Sequence, residues 1–326
     1  MTMWKSTFII LAAFAVVLLG IIVWDVFKAK RTNTRYHLRS TVTSYAMLLP
    51  ATVLAFFFIM LPILYSLGYA FTDYYLLRPD DINFIGFDNF KEVWQELVAK
   101  GTIYHAIINT LIFVVGVVPL QIGLALGLAL FCNRKKRGVK IFKVCFFAPV
   151  VISLSVTSYL WLQILSPAPT GLLNSLLSVF GAQPHDWLGD PKTAMPCIIV
   201  LSAWQGAGYQ MLIFLAGLSN VREDLYEAAA LDGAGSWKKF ANVTWPGIRS
   251  SFVFVIITVF IGACRIMTQP MLMTGYQLHT VTLSYYMYTR GYSDRWVGLS
   301  SSVALIMTIV IGAITLVQRR VFREKA

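Results

Sequence analysis

Charge is scarce in this chain, and acidic charge scarcest: 13% of the 326 residues are charged, with 15 Asp plus Glu against 27 Lys plus Arg. A soluble globular domain carries about 25% charged residues, whereas 57% of this chain is hydrophobic and its mean hydropathy is +0.68. Most of it is therefore not built to face water. No acid falls at the middle of an apolar run, where proton- and sodium-coupled carriers place their coupling carboxylates, which argues against a secondary carrier. The four histidines, His37, His105, His185 and His279, are scattered, without an HExxH pair. There is no GxSxG and no pair of acids for hydrolysis. These gaps argue against a metal site and against an enzyme. Cys132, Cys145, Cys197 and Cys264 lie in or beside apolar runs with no CxxC spacing, so they read as small hydrophobes with no disulfide. A GxxxxGK[ST] loop is missing too: the stretch from Gly233 to Lys239 has neither its spacing nor a preceding strand. If ATP drives this chain, another subunit binds it.

What is abundant is the apolar run of about 20 residues, the length that crosses a bilayer core as a helix. Spans are expected at about Thr7 to Phe27, Ser44 to Phe71, Ala106 to Phe131, Val144 to Leu165, Thr193 to Leu218, Phe252 to Met273 and Leu299 to Val317. The net charge of +12 is not laid along one soluble face, as a nucleic-acid binder requires, but sits in short segments between runs. Lys28, Lys30, Arg31, Arg35 and Arg39 follow the first run; Arg134, Lys135, Lys136, Arg137, Lys140 and Lys143 follow the third; Arg319, Arg320, Arg323 and Lys325 follow the last. Asp73, Asp80, Asp81, Asp88, Glu92 and Glu96 fill the loop after the second. The positive-inside rule then orients all seven spans with the N-terminus outside and the C-terminus in the cytoplasm. The first run could instead be a signal peptide, but it lacks an A-x-A site and a basic leader beyond Lys5. The expected organisation is an N-terminal helix and basic linker, 1–43, followed by one membrane domain, 44–326, with a cytoplasmic loop at 219–249.

That loop is amphipathic and charged. Asp224 is positioned to cap a short helix holding Leu225 to Leu231, Gly233 and Gly235 permit a turn, and Ser236 opens a second helix, Trp237 to Val243, which Pro246 and Gly247 end. The result is a helix-turn-helix whose small residues, Ala228 to Ala230, admit another surface closely, with Glu227 available to an arginine. Physics alone leaves open whether that surface is a protein or lipid headgroups.

The residues Glu227-Ala228-Ala229, with Asp232-Gly233 after them and Val243-Thr244-Trp245-Pro246 at the end, resemble the EAA loop of bacterial ABC importer permeases, in the form typical of the carbohydrate, maltose-type branch. Other segments resemble the same family in order along the chain: Phe84 to Phe90, Asn109-Thr110-Leu111, Gly171-Leu172-Leu173-Asn174 with Trp187-Leu188, and Leu215 to Leu218. The resemblance implies an all-α membrane fold with a six-helix core, to which Thr7 to Phe27 is an addition. It implies Glu227, Ala228, Ala229, Asp232, Gly233 and Pro246 as the element that couples to an ATPase. It also implies a second permease chain, two nucleotide-binding subunits carrying ATP and Mg, and an extracytoplasmic solute-binding protein, with no cofactor in this chain. The chain departs from the family after Met273, where a Gly-Gly-Pro is usual and Thr274-Gly275-Tyr276-Gln277 stands, and at Trp245, where leucine is common.

For a translocation pathway the candidates are polar and aromatic residues inside spans, which are costly there unless they face a cavity. Trp204, Gln205, Tyr209 and Gln210 form one set; Arg265 and Gln269 on the next span form another, with Gln121 and Asn109 as secondary candidates. Rings stack on sugars while amides and guanidinium bind hydroxyls, so the mixture suits a glycan, and Arg265 would equally hold a phosphate or uronate. Each could instead tie helices together. A permease for glycerol phosphate, peptides or amino acids, and a membrane scaffold with no transport role, are the competing readings.

Overall fold

The structure is a computed structural model that describes residues 38–133 and 138–322, with Gly20, Trp24 and Phe27 before them. Most of the expected span at Thr7 to Phe27, the basic run at 134–137 and the last four residues lie outside the described residues. Among the described residues there are helices and two isolated bridges but no strands.

The helices are α1 Leu38–Ala55, α2 Leu61–Tyr69, α3 Asp88–Val98, α4 Thr102–Cys132, α5 Val139–Val151, α6 Leu154–Ile164, α7 Leu172–Ser178, α8 Ala194–Ser219, α9 Glu223–Leu231, α10 Ser236–Lys239, α11 Trp245–Cys264, α12 Thr268–Met273, α13 Leu283–Tyr288 and α14 Val297–Val321. Five helical stretches are long and apolar enough to cross a membrane: Thr43–Tyr69, Thr102–Cys132, Ala194–Ser219, Ser236–Cys264 and Val297–Val321. A sixth is the pair α5 and α6, which bend by 98° at their junction. The expected run Val144 to Leu165 is thus sharply bent, not one straight helix.

Two prolines that should break helices do not. The turns Phe56–Met60 and Phe240–Thr244 are π-helical, with Leu61 N–H donating to Phe56 O and Trp245 N–H to Phe240 O. Each lies just before a proline, Pro62 or Pro246. A proline ring clashes with the carbonyl four residues back and offers no N–H; a wider turn moves that carbonyl away. Pro246 therefore sits near the start of α11 within one continuous helix from Ser236 to Cys264, where the sequence led us to expect a helix end.

The chain divides into two compact units. In the first, the described residues up to Asn89 join Arg295–Ser302. Buried Asn89 donates from Nδ2 to the carbonyls of Ala70 (3.0 Å) and Thr72 (2.8 Å), and Gly298 N–H reaches Tyr74 O at 3.0 Å. A Cβ at Gly298 would lie 2.2 Å from Thr72 O, so only glycine fits there. The apolar window of Thr43–Tyr69 is almost wholly uncovered, as a lipid-facing span would be.

The second unit, the described residues of 90–294 and from Val303 on, is organised on α4 and α8. Phe113 and Val117 pack with Ile198 and Leu201 in one cluster; Ile122, Ala125 and Ala129 pack with Met211, Phe214, Ile248 and Val255 in the next. Close approach is permitted by glycine: a Cβ on Gly208 would meet Phe146 O at 2.4 Å, and one on Gly217 would meet Ser251 Oγ at 2.4 Å. Small residues at helix contacts replace the hydrophobic drive that lipid removes. In the segment 166–192, buried Asn174 donates to Ser166 O and His185 O at 3.1 Å and accepts from Trp187 Nε1 at 2.9 Å. The Gly-Leu-Leu-Asn and Trp187 signature is a hydrogen-bond hub.

Candidate functional site

Two places in the second unit combine exposed or cavity-lining polar groups with departures from regular helix.

The first is α9 and its turn. Asp224 does not cap it: the helix starts at Glu223 with Arg222 as extended N-cap and no side-chain cap bond, and Asp224 instead pairs with Arg222. Both side chains are exposed, so this pair adds little stability. The C-terminus is a Schellman motif: Gly233 N–H donates to Ala230 O at 3.1 Å and Ala234 N–H to Ala229 O at 2.9 Å, with Gly233 at φ +69°. That left-handed conformation accounts for glycine in the Asp-Gly-Ala signature. No residue of α9 is buried; Leu231 is 91% exposed and Trp237 77%. Tyr226 Oη lies 2.9 Å from the Oγ1 of buried Thr244, and a Cβ on Gly247 would meet Val221 at 2.5 Å. An uncovered helix is in this way pinned to the base of a membrane helix. Glu227, Ala228, Ala229, Asp232 and Gly233 all lie on this element, with Pro246 above it.

The second is a cavity of about 430 Å³ walled by α4, the α5–α6 junction, α8 and the region where α11 gives way to α12. That size falls in the usual range for a small-ligand pocket. The bend between α5 and α6 meets the end of α11 here. α11 ends at Cys264, Arg265 and Met267 are non-helical, and α12 resumes at Thr268, so Arg265 and Gln269 do not share the continuous helix the sequence implied. Irregular backbone at membrane depth is tolerated where it lines a cavity or is buried in protein. The freed carbonyls find partners: Ile152 O accepts from Gln205 Nε2 at 3.4 Å, and Ile266 O from Thr282 Oγ1 at 2.6 Å.

Of the sequence candidates, Gln205, Gln210, Arg265 and Gln269 line this cavity. Trp204 and Tyr209 do not; Trp204 rests on Trp161 with centroids 6.0 Å apart, and Tyr209 is 53% exposed. The helix repeat explains the split, because Ser202, Gly206 and Gln210 recur every fourth residue on one face. Gln121, from α4, also lines it, donating to Gln210 Oε1 at 3.0 Å. Asn109 does not: its Nδ2 donates to Leu278 O and Val281 O at 2.9 Å each, and with Thr110 Oγ1, which accepts from Leu283 N–H, it holds the segment after Met273. Arg265 is the one charged residue of the lining, which contains no acid, and it forms no ion pair among the described residues. Gly206, which no sequence argument singled out, seats the Gln121 amide, since a Cβ there would lie 2.3 Å from Gln121 Nε2.

Interrupted membrane helices around a cavity with no acid in its lining, with an uncovered helix pinned to the base of one of them, are the arrangement of a membrane transport component. Residues 103–325 match the family described as binding-protein-dependent transport system inner membrane component. The chain is 31% identical over 292 residues to the probable ABC transporter permease protein YurN of Bacillus subtilis strain 168, covering 87% of this chain and 97% of that one. It is 31% identical over 294 residues to the lactose transport system permease protein LacF of Rhizobium radiobacter, covering 87% and 95%. Its fold is also that of a chain in the crystal structure of a bacterial alginate ABC transporter in complex with alginate pentasaccharide-bound periplasmic protein, with TM-score 0.77 and 24% identity over 88% of this chain and 96% of that one. The chain belongs to the family of inner membrane components of binding-protein-dependent transport systems. It is a multi-pass permease subunit, not an enzyme; ATP hydrolysis belongs to a separate subunit, and a solute-binding protein is part of the system.

Proposed function

We propose that this permease imports sugars or oligosaccharides, passing them through the cavity at the helix breaks. The carrying observation is the lining itself: amides of Gln121, Gln205, Gln210 and Gln269 with Arg265, and no carboxylate, a set that hydrogen-bonds hydroxyls in both directions. The likeness to a lactose permease supports the same class. In this reading the domain spans 44–326 after a separate N-terminal helix and linker, 1–43, and the C-terminus faces the cytoplasm. Two permease chains pair, and each seats α9 in a cleft of a nucleotide-binding subunit that carries ATP and Mg. Glu227, Ala228, Ala229, Asp232, Gly233 and Pro246 transmit its closure, the pin from Tyr226 to Thr244 carrying the movement into α11. Trp204 and Tyr209, outside the cavity here, join the pathway only if another state of the transporter turns α8.

Glu227→Lys tests the coupling half. Co-purification of the nucleotide-binding subunit and transport-linked ATP hydrolysis should both fall by an order of magnitude, while the permease still inserts. Normal complex assembly with normal uptake contradicts the assignment of α9.

A second reading is favoured by Arg265. An unpaired guanidinium with no acid in the lining suits a carboxylate or phosphate, which moves the solute toward uronic acid oligosaccharides or glycerol phosphate.

A further inference from the structure

Gln121 and Gln210 are each 8% exposed, and one hydrogen bond joins them, from Gln121 Nε2 to Gln210 Oε1 at 3.0 Å. A pair of primary amides has more capacity than one bond uses. The second oxygen, Gln121 Oε1, and the second nitrogen, Gln210 Nε2, are not among the buried atoms left without a partner, and both residues line the cavity. Each residue thus keeps one amide atom outside the Gln121–Gln210 bond and some exposure to the cavity. Reversing both amides leaves the same result, one further acceptor and one further donor on two bonded amides of the cavity wall. Gly206 fixes where they stand, because any side chain there would displace the Gln121 amide.

We infer that the Gln121–Gln210 pair is a specificity-determining element that reads two adjacent hydroxyls of a sugar, the oxygen of one amide accepting from the first hydroxyl and the N–H of the other donating to the second. This rests on the sugar reading above and goes beyond it by naming the groups recognised and the residues that recognise them. A buried polar pair that loses its counterpart is left unpaired, which is how such a site rejects an analogue lacking one hydroxyl proton. Gln121 is here a binding residue, not a helix tie alone.

The test uses proteoliposomes holding the complete importer with its own binding protein. They are offered a labelled pool of lactose, maltose, xylobiose and arabinobiose, each with its mono-O-methyl isomers, and import is read by mass spectrometry. The binding protein filters the pool identically for every variant, so the change in selectivity between variants belongs to the permease. Wild type should exclude isomers blocked at one adjacent hydroxyl pair. Q121M removes the polar end, and G206A keeps both amides but unseats them; each should reduce that discrimination by roughly five- to tenfold, the worth of about one hydrogen bond. If both variants slow every sugar in the same proportion and the ratios stand, the pair is a helix tie and the inference is overturned. If wild type imports no member of the pool while its ATPase answers the binding protein, the sugar reading itself fails and takes the inference with it.

Discussion

Asn109 shows how one side chain can look like a pathway residue and be a fastener. An asparagine inside an apolar run is costly, and from sequence it ranked with Gln121. The structure gives it two carbonyls, those of Leu278 and Val281, in the segment where the usual Gly-Gly-Pro is missing. Asn109→Leu leaves both without their donor. The expected loss is about 1–3 kcal/mol, read as a lower midpoint of thermal unfolding in detergent, with transport selectivity among sugars unchanged. A selectivity change with unaltered thermal stability would return Asn109 to the pathway. Residue chemistry was otherwise legible where a backbone rule demands one amino acid: Gly233 was expected at a turn, and its φ of +69° in a Schellman motif is the reason. Gly206 was not legible, because what it accommodates, the Gln121 amide, comes from a helix some 85 residues earlier in the chain.

Within the described residues the spans were readable at the level of elements, since run length is a local property; Ala194–Ser219 departs from its expected bounds by one residue at each end. The breaks were not. Val144 to Ile164 carries no charged residue, and hydropathy carries no sign of the 98° bend between Val151 and Leu154. What holds that bend is remote, the Gln205 amide on Ile152 O and the close approach of α5 to α8. Pro246 misled in the opposite direction, because a π turn absorbs it. The α5–α8 contact has a direct test. Gly208→Ala puts a methyl 2.4 Å from the Phe146 carbonyl, a backbone atom that no rotamer change can clear. The two helices must separate, at about 1–3 kcal/mol, measured as a drop in the unfolding midpoint. An unchanged midpoint and uptake would mean the approach is looser than the structure shows.

For the whole molecule, the same scarcity with which the sequence opened governs the function. The cavity lining holds no carboxylate among the described residues, and the sequence carries no GxxxxGK[ST] nucleotide loop. ATP is hydrolysed by a separate subunit and the solute arrives on a binding protein; under the proposed function that subunit grips α9. Exposed apolar side chains in this loop, Leu231 at the end of α9 and Trp237 on α10, are what a docking partner would cover in that proposal. The proposal of coupling rests on the loop around Glu227, which is readable in the sequence. The cavity itself needed the fold, for its walls are gathered from four separate stretches of chain.

ATP-dependent uptake by the reconstituted importer tests the central claim most directly. Proteoliposomes containing this permease, its partner permease, the nucleotide-binding subunits and the binding protein are loaded with Mg-ATP and offered a neutral disaccharide, an acidic disaccharide and glycerol phosphate. The account predicts accumulation of a sugar that needs both ATP and the binding protein and that collapses in Glu227→Lys. Uptake that continues without ATP and follows an imposed proton or sodium gradient would contradict it.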